Sequence, residues 1–571
     1  MTHTDAPPAA AEIPHRRGRG AAAGLVAMAL ALGVAELTRA INRQLSSPII
    51  DVGARFIDAT PRWLKDFAID TFGTNDKVAL IVGIAALLMI YAVVIGIAAT
   101  RRRWVGIVGV ALFTLIGIVA SVAAIGPWWS MLPSLVGGVA GAGALWFLSG
   151  LAVLPSATVT AGSTSTSLPE VGTSPVTASP AVADSAEPAD QAVAGLTDSD
   201  REALLADSVD RVPVGVGRRS FLAASAGLGM LALVAGGAGR LLSERLDVSA
   251  LRDKITLPFA KKPLAEIPAA VQVDAAGVTP FFTKNSEFYR IDTALVAPQV
   301  PVDTWSLTIK GMVDNEITFT YDELLARDLI ESDITLTCVS NEIGGQLAGT
   351  ARWLGVPLAE LLREAGVQKG ADQIVGRSVD GFTTGFPTPY GIEPERGAIV
   401  AVGMNGEPLP VIHGFPARLV VPGLYGSVSA TKWLTEIELT TFADFDAYWA
   451  ERKWSALAPI KTFSRIDSPK PLERIPTGRR GIAGVAWAQT VGIDKVEVRV
   501  DGGEWMAAQL GEELNDVTWR QWVLPHEFTE SGSHSIECRA TDRTGAIQTE
   551  DRSEPFPNGA TGWHSLVTLV G

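Results

Sequence analysis

The hydrophobic pattern divides the chain before any motif is considered. Four apolar runs come early, roughly Ala21 to Ala35, Val78 to Ala99, Val105 to Ile125 and Met131 to Leu154, and a fifth extends from Phe221 to Gly239. A helix crosses a bilayer in about 20 predominantly apolar residues, so the second to fourth runs read directly as spans. The first and fifth are shorter or richer in small residues and are assigned as spans with them. The expectation is a helical membrane bundle with five transmembrane helices, four within 1–154 and the fifth within 218–245. Between them, Ser156 to Val214 is rich in Ala, Ser, Thr, Pro and acids and nearly free of aromatics, so 155–217 reads as a disordered linker. Beyond Asp247 the pattern turns globular. DTWSLTIKGMV alternates as a strand, ITFTYDELLARDL passes from strand to helix, and RWLGVPLAELLREAGV has helical spacing. Mixed elements without a regular βαβ rhythm predict an α+β domain over 246–460. From about Ile475, GIAGVAWAQT, KVEVRVDGGEW, WRQWVLP and SHSIECRATDRTG alternate over short stretches, with DGG and RTG as turns. They predict a C-terminal immunoglobulin-like β-sandwich over 461–571.

Charge orients this plan. Arg101, Arg102 and Arg103 fill the turn between the second and third spans, whereas GPWWS after the third carries no base. Short basic loops stay in the cytoplasm, which leaves the large C-terminal part outside after five spans. The segment from Arg39 to Lys77 is then external although it carries bases; these alternate with Asp51, Asp58, Asp66, Asp70 and Asp76, and ARFIDATPRWLKDF reads as an interfacial helix. GRRSFLAASAGLGMLALVAGG resembles a twin-arginine export signal, although Arg218-Arg219 before an apolar helix also serves as an ordinary topology determinant. No AxA site follows the apolar run, so the segment is expected to remain as an anchor.

Composition narrows the chemistry. Hydrophobic residues make up 47% of 571 residues, yet the formal charge is −14. An acidic globular part on apolar spans argues against a nucleic-acid partner. The six histidines, at 3, 15, 413, 526, 534 and 564, all lie outside the spans, so a bis-histidine haem has no ligands there. Polar residues are scarce in the spans, which favours an anchor over an ion pathway. GxSxG, HExxH and Walker patterns are absent. The two cysteines, Cys338 and Cys538, lack CxxC spacing. Cys538 lies inside the alternating SIECRAT and reads as a buried small hydrophobe. Cys338, in TLTCVSNEIGG, stands where a strand gives way to a turn, a position that opens onto clefts; a structural and a functional thiol both fit. MNGEPLPVIHGFPARLVVPGLYGSVSATKWLTEIEL packs glycine and proline turns around His413, Arg418 and Lys432. Such turns bring cations together on an anion, while taken singly these residues also suit surface charges and a core histidine.

Several ordered stretches carry a resemblance: FFTKNSEFYRIDTALVAPQVPVDTWSLTIKGMV, TLTCVSNEIGG, TARWLGVPLAELLREAGV, SVDGFTTGFP, and MNGEPLPVIHGFPARLVVPGLYG with KWL. Over roughly Pro280 to Thr441 they resemble the molybdenum-cofactor domain of the sulfite oxidase family, and the sandwich resembles the dimerisation domain that commonly follows it. The resemblance implies that Cys338 is the protein thiolate on molybdenum, a soft ligand that binds deprotonated. It implies a first pterin-contacting segment of Thr283, Lys284, Asn285 and Ser286, and later ones at Asp380, His413, Arg418, Ser429, Ala430, Thr431 and Lys432. Arg418 and Lys432 would meet the terminal phosphate, and His413 and Asp380 the pterin.

The implied cofactor is Mo-molybdopterin, without haem. The implied partners are a small-molecule substrate, a separate electron carrier or quinone, the lipid bilayer and a second copy through the C-terminal domain. The implied place is a bacterial cell membrane, multi-pass, with the catalytic domain extracytoplasmic and exported already folded around its cofactor. Three departures weaken sulfite as substrate. Asn341-Glu342-Ile343 replaces paired arginines, Lys284 stands for an arginine, and YWAERKW puts Trp454 in place of a tyrosine. A dianion needs concentrated positive charge, so oxygen-atom transfer is expected with sulfite a poor substrate, and a neutral sulfoxide, N-oxide or small organic molecule fits the altered pocket at least as well. Alternatives are a sulfite dehydrogenase proper, a non-catalytic surface module, or a bundle that is itself the working part.

Overall fold

The computed structural model describes residues 13–42, 45, 47–61, 67, 71, 76–123, 128–153, 218–245 and 247–571. The expected linker, and much of the expected interfacial helix beyond Pro61, lie outside the described residues. Helices span Ile13–Arg39, Asp76–Arg101, Arg103–Ala123, Leu132–Val153 and Arg218–Arg245, and each holds a stretch long and apolar enough to cross a membrane. A shorter helix, Pro48–Ala59, carries the described part of the interfacial segment.

The chain divides into a helical unit holding these long helices and a second unit holding 243–571. In the helical unit, small residues set the packing distance. A Cβ added at Gly24 would sit 1.9 Å from the carbonyl oxygen of Ala92, one at Gly96 2.2 Å from that of Gly20, and one at Gly137 2.5 Å from that of Ala31. Such backbone-to-backbone fits supply the van der Waals attraction that holds apolar helices together.

The second unit begins with two sheets. One orders β2 (Ile317–Thr320), β1 (Ser306–Gly311), β10 (Leu434–Thr440), β5 (Gln373–Ser378) and β6 (Thr383–Pro387), with only the β1–β10 pair parallel. The other orders β3 (Ile330–Thr337), β4 (Ala348–Pro357), β7 (Ile399–Met404) and β8 (Glu407–Pro408), with β9 (Arg418–Val420) also on β7. Helix Leu358–Ala365 turns Leu358, Leu361, Leu362 and Ala365 into the core and ends at Gly366, whose φ of 72° suits glycine.

This helix corrects one expectation. The helical spacing of RWLGVPLAELLREAGV begins too early, because RWLGVP is the end of β4. That strand is buried on both faces, so its apolar positions do not alternate and mimic a helical stripe. Proline pushes the residue before it into extended backbone, so the helix starts only after Pro357.

Two further sheets follow. One orders β11 (Phe463–Ser468), β13 (Gly478–Trp487), β17 (Arg520–Phe528) and β16 (Gln509–Leu510); the other orders β12 (Arg474–Ile475), β19 (His564–Val570), β18 (Gly532–Asp542), β14 (Ile493–Val500) and β15 (Met506–Ala507). Ile466, Ile482 and Trp522 from the first share a core with Val498, Ile536 and Leu566 from the second, so the sheets pack face to face. Cys538 lies inside this core, and both cysteines are free thiols. Phe463, Val485, Trp487 and Trp519 join the core of the preceding α+β region. One apolar cluster of 243–571 therefore draws residues from the first two sheets and from the later ones.

Candidate active site

The strand β3 delivers Cys338 to a closed loop. Its amide donates to Leu347 O at 2.9 Å, its carbonyl accepts from Asn341 N at 3.0 Å, and Asn341 Oδ1 accepts from Leu347 N at 2.8 Å. The thiol is 7% exposed, with Sγ 2.9 Å from Ser340 Oγ. Burial pushes the thiol pKa up, opposed by Ser340 and by the charge of Lys432. A buried thiol in this state is a poor nucleophile; cation binding converts it to thiolate. The phenols of Tyr289 and Tyr425 lie within electrostatic reach of it, and burial raises both, Tyr425 to about 12.

The triplet after the thiol is part of this closure. Asn341 is 5% exposed and spends its side chain on the loop, Glu342 is exposed, and Ile343 packs against the core. Trp454 stacks edge-on with Trp449 and Phe556, at ring separations of 5.8 and 5.3 Å.

His413, Arg418 and Lys432 converge as the motif predicts. Gly414 makes this close approach possible: its φ is 113°, and a Cβ there would stand 3.1 Å from Arg418 Cβ and from Lys432 Cα. His413 Nε2 contacts Asn285 O at 2.8 Å, Arg418 Nη1 donates to His413 O at 3.1 Å, and Lys432 Nζ donates to Ile412 O at 3.2 Å and Asp292 Oδ2 at 3.0 Å. All three side chains are buried, at 0, 3 and 8% exposure. Burial is the main cause that lowers each pKa, His413 to about 4, Arg418 to about 10 and Lys432 to about 8, and repulsion from neighbouring cations adds to it for His413 and Lys432. Histidine is thus neutral here. Three polar atoms in this region are buried without a hydrogen-bond partner: His413 Nδ1, Arg418 Nε and Thr283 Oγ1. Such groups normally find partners, because an orphan costs about 1–3 kcal/mol.

The remaining expected residues divide. Asn285 is held at the cluster, donating to Met404 O at 3.1 Å and accepting from Asn405 Nδ2 at 2.8 Å, and Thr283 N donates to Thr350 O at 2.8 Å. Lys284 and Ser286 are exposed, Lys284 pairing with Glu287 at 3.3 Å. Asp380 is exposed in a turn, accepting from Phe382 N at 3.2 Å. Ser429 and Thr431 are fully buried, donating to Tyr425 O at 3.0 Å and meeting Thr384 Oγ1 at 2.7 Å, with half-buried Ala430 between them. Sequence reasoning missed Tyr289, Tyr425 and Asp292. Tyr289 and Asp292 stand at the end of NSEFYRID, beside the first expected segment, where proximity was the available signal.

With this geometry in view, comparison with known proteins is informative. The oxidoreductase molybdopterin binding domain family matches residues 294–449. Mitochondrial sulfite oxidase of Macaca fascicularis is 27% identical over 372 residues, 56% of this chain and 66% of that protein. NADH nitrate reductase of Solanum lycopersicum is 27% identical over 316 residues, 44% of this chain and 34% of that protein. Among solved structures, sulfane dehydrogenase SoxCD from Paracoccus pantotrophus matches at 21% identity and a TM-score of 0.46, over 56% of this chain and 92% of that one. The chain thus spans 66% of the length of the sulfite oxidase it matches. Residues 294–449 thus carry a molybdopterin-binding oxidoreductase domain, and the chain is similar to sulfite oxidases and nitrate reductases.

Proposed function

We propose that this chain is a membrane-anchored oxidoreductase that holds Mo-molybdopterin through Cys338 and transfers an oxygen atom to or from a small molecule. The observation that carries the reading is a buried thiol within electrostatic reach of Lys432, which is buried with Arg418 and neutral His413 in a cluster that keeps polar atoms unpartnered. Among the described residues, no group of three or more His, Cys, Asp or Glu could hold a metal ion. One thiolate fits a metal whose other ligands come from a dithiolene. Arg418 and Lys432 would take the terminal phosphate, Arg418 Nε and Thr283 Oγ1 offering free hydrogen-bonding capacity, and neutral His413 would present Nδ1 to the pterin. Asn285 fixes the histidine ring through its carbonyl. When bound, the molybdenum centre supplies two-electron redox chemistry coupled to oxygen-atom transfer.

The substrate we favour is a neutral sulfoxide, N-oxide or small organic molecule rather than sulfite. Asn341 is committed to its loop, Glu342 is acidic and Ile343 apolar, so the positions after the thiol offer no positive charge to a dianion. The cofactor domain would lie outside a bacterial membrane on five spans, exported through Arg218-Arg219. A separate carrier or quinone would exchange its electrons, and the C-terminal immunoglobulin-like sandwich would pair two copies. Metal and pterin assay of the purified full chain tests the core: near-stoichiometric molybdenum is expected, and its absence from wild-type protein would sink the reading. A screen of sulfoxides, N-oxides and sulfite with artificial electron donors and acceptors tests the substrate, with sulfite turnover as the opposing result.

A further inference from the structure

The cysteine loop is held from the far side by the C-terminal sheets. Arg465, on β11, is 1% exposed and pairs with Asp467 at 2.7 Å. Its other nitrogens leave the domain: Nη1 donates to Gly345 O at 2.9 Å, in the Cys338 loop, and Nη2 donates to Thr279 Oγ1 at 3.0 Å. Asp467 Oδ2 accepts from Thr279 N at 3.1 Å, and Gln521 on β17 donates to Thr279 O at 2.7 Å. Thr279 lies four residues before Thr283, ahead of the first expected pterin segment. One guanidinium therefore bridges the loop bearing the thiol and the lead-in to the segment that contacts His413. His564 closes the same face, since a Cβ at Gly344 would lie 2.3 Å from its Nε2.

We infer that Arg465 is a positioning residue, which sets the Cys338 loop against the Thr279–Ser286 segment and thereby orients the thiolate toward the cofactor. The inference rests on the proposed cofactor reading. Buried ion pairs are poor sources of net stability, and apolar replacements often do as well. What apolar residues cannot supply is a planar fork with donors at fixed angles. Because that fork is rigid, the separation of its two acceptors is fixed with it. Lysine would keep the pair with Asp467 but has a single ammonium, unable to reproduce both outward bonds.

The test uses the purified full chain carrying Arg465→Met with Asp467→Leu, which removes the charges together, and separately Arg465→Lys. Amide hydrogen exchange is followed in 338–347, in 279–286 and in 536–540 of β18. In the double variant, exchange should rise at least tenfold in the first two segments and stay unchanged in β18, and Arg465→Lys should loosen one of the two. The molybdenum EPR signal of the double variant should shift its g-values. Unchanged exchange in the two segments, an equal rise in β18, or increased exchange with an unshifted EPR signal would each overturn the inference. Wild-type protein without molybdenum would instead defeat the cofactor reading, and the exchange comparison would still decide whether Arg465 braces the loop.

Discussion

Acidification should loosen the contact between the cysteine loop and the C-terminal sheets, and His564 sets the amount. Its Nδ1 accepts from Ile466 N at 2.9 Å, a role open only to an unprotonated nitrogen, and its ring is 8% exposed. Burial first, then repulsion from Arg465 and Arg552, lowers its pKa from 6.5 to about 4, with Asp467 opposing. The unfolded chain therefore binds the proton more readily than the folded one. Stability from this group is complete above about pH 6.5 and is lost as pH falls toward 4. At about 1.4 kcal/mol per unit, the full loss approaches ~3 kcal/mol, and about 2 kcal/mol of it is reached at pH 5. His413 has a similarly lowered pKa and would add a like amount. Comparing wild type with His564→Gln removes that term, because His413 is present in both and glutamine cannot be protonated. Urea midpoints followed by tryptophan fluorescence at pH 7 and pH 5 should show wild type losing about 2 kcal/mol more than the variant. Equal losses would refute a neutral, acid-sensitive His564.

Three other outcomes are expected. Cys338→Ser should abolish turnover while the purified protein retains much of its pterin, read by fluorescence of the released, oxidised pterin; an active variant would exclude the thiolate as ligand. Gly344→Ala should destabilise the second unit by about 2 kcal/mol or more, because φ of 75° costs an L-residue about 1–2 kcal/mol and the methyl overlaps His564; an unchanged urea midpoint would contradict the packing. Gly24→Leu should separate the first two long helices, whose backbones touch at this point, lowering the thermal midpoint of the detergent-solubilised chain; retention of the wild-type value would count against the described helix contact.

Much of the fold was legible because the relevant signals are local. Apolar runs of bilayer length announce their own helices, and alternating segments such as KVEVRV and SIECRAT appear as β14 and β18. Strand β4 was misread because burial on both faces removes the alternation that identifies a strand. The buried basic cluster was readable for the same local reason: His413, Arg418 and Lys432 lie within twenty positions, and the glycine that lets them converge lies among them. Arg465 and His564 could not be read this way. They sit in β11 and β19, more than a hundred residues beyond Cys338, and only the folded chain reveals that they face its loop. Asn341 shows a subtler limit. Its difference from arginine was visible, whereas its use as the acceptor that closes the loop depends on where Leu347 returns.

The bonds on Thr335, three residues before Cys338, also impose an order in time. Its amide donates to Val517 O at 3.1 Å, its hydroxyl accepts from Trp519 N at 2.8 Å, and its carbonyl accepts from Gln489 Nε2. Translation produces Thr335 long before any of these partners, and Trp519 is made 184 residues later. A nascent chain can lay β3 against β4 while still on the ribosome, but the strand leading to the thiol keeps open valences until the residues through Trp519 have been made. Completion of this site is thus a late event in synthesis, and a chain truncated before Trp519 would carry every residue of the cysteine loop without the means to finish it.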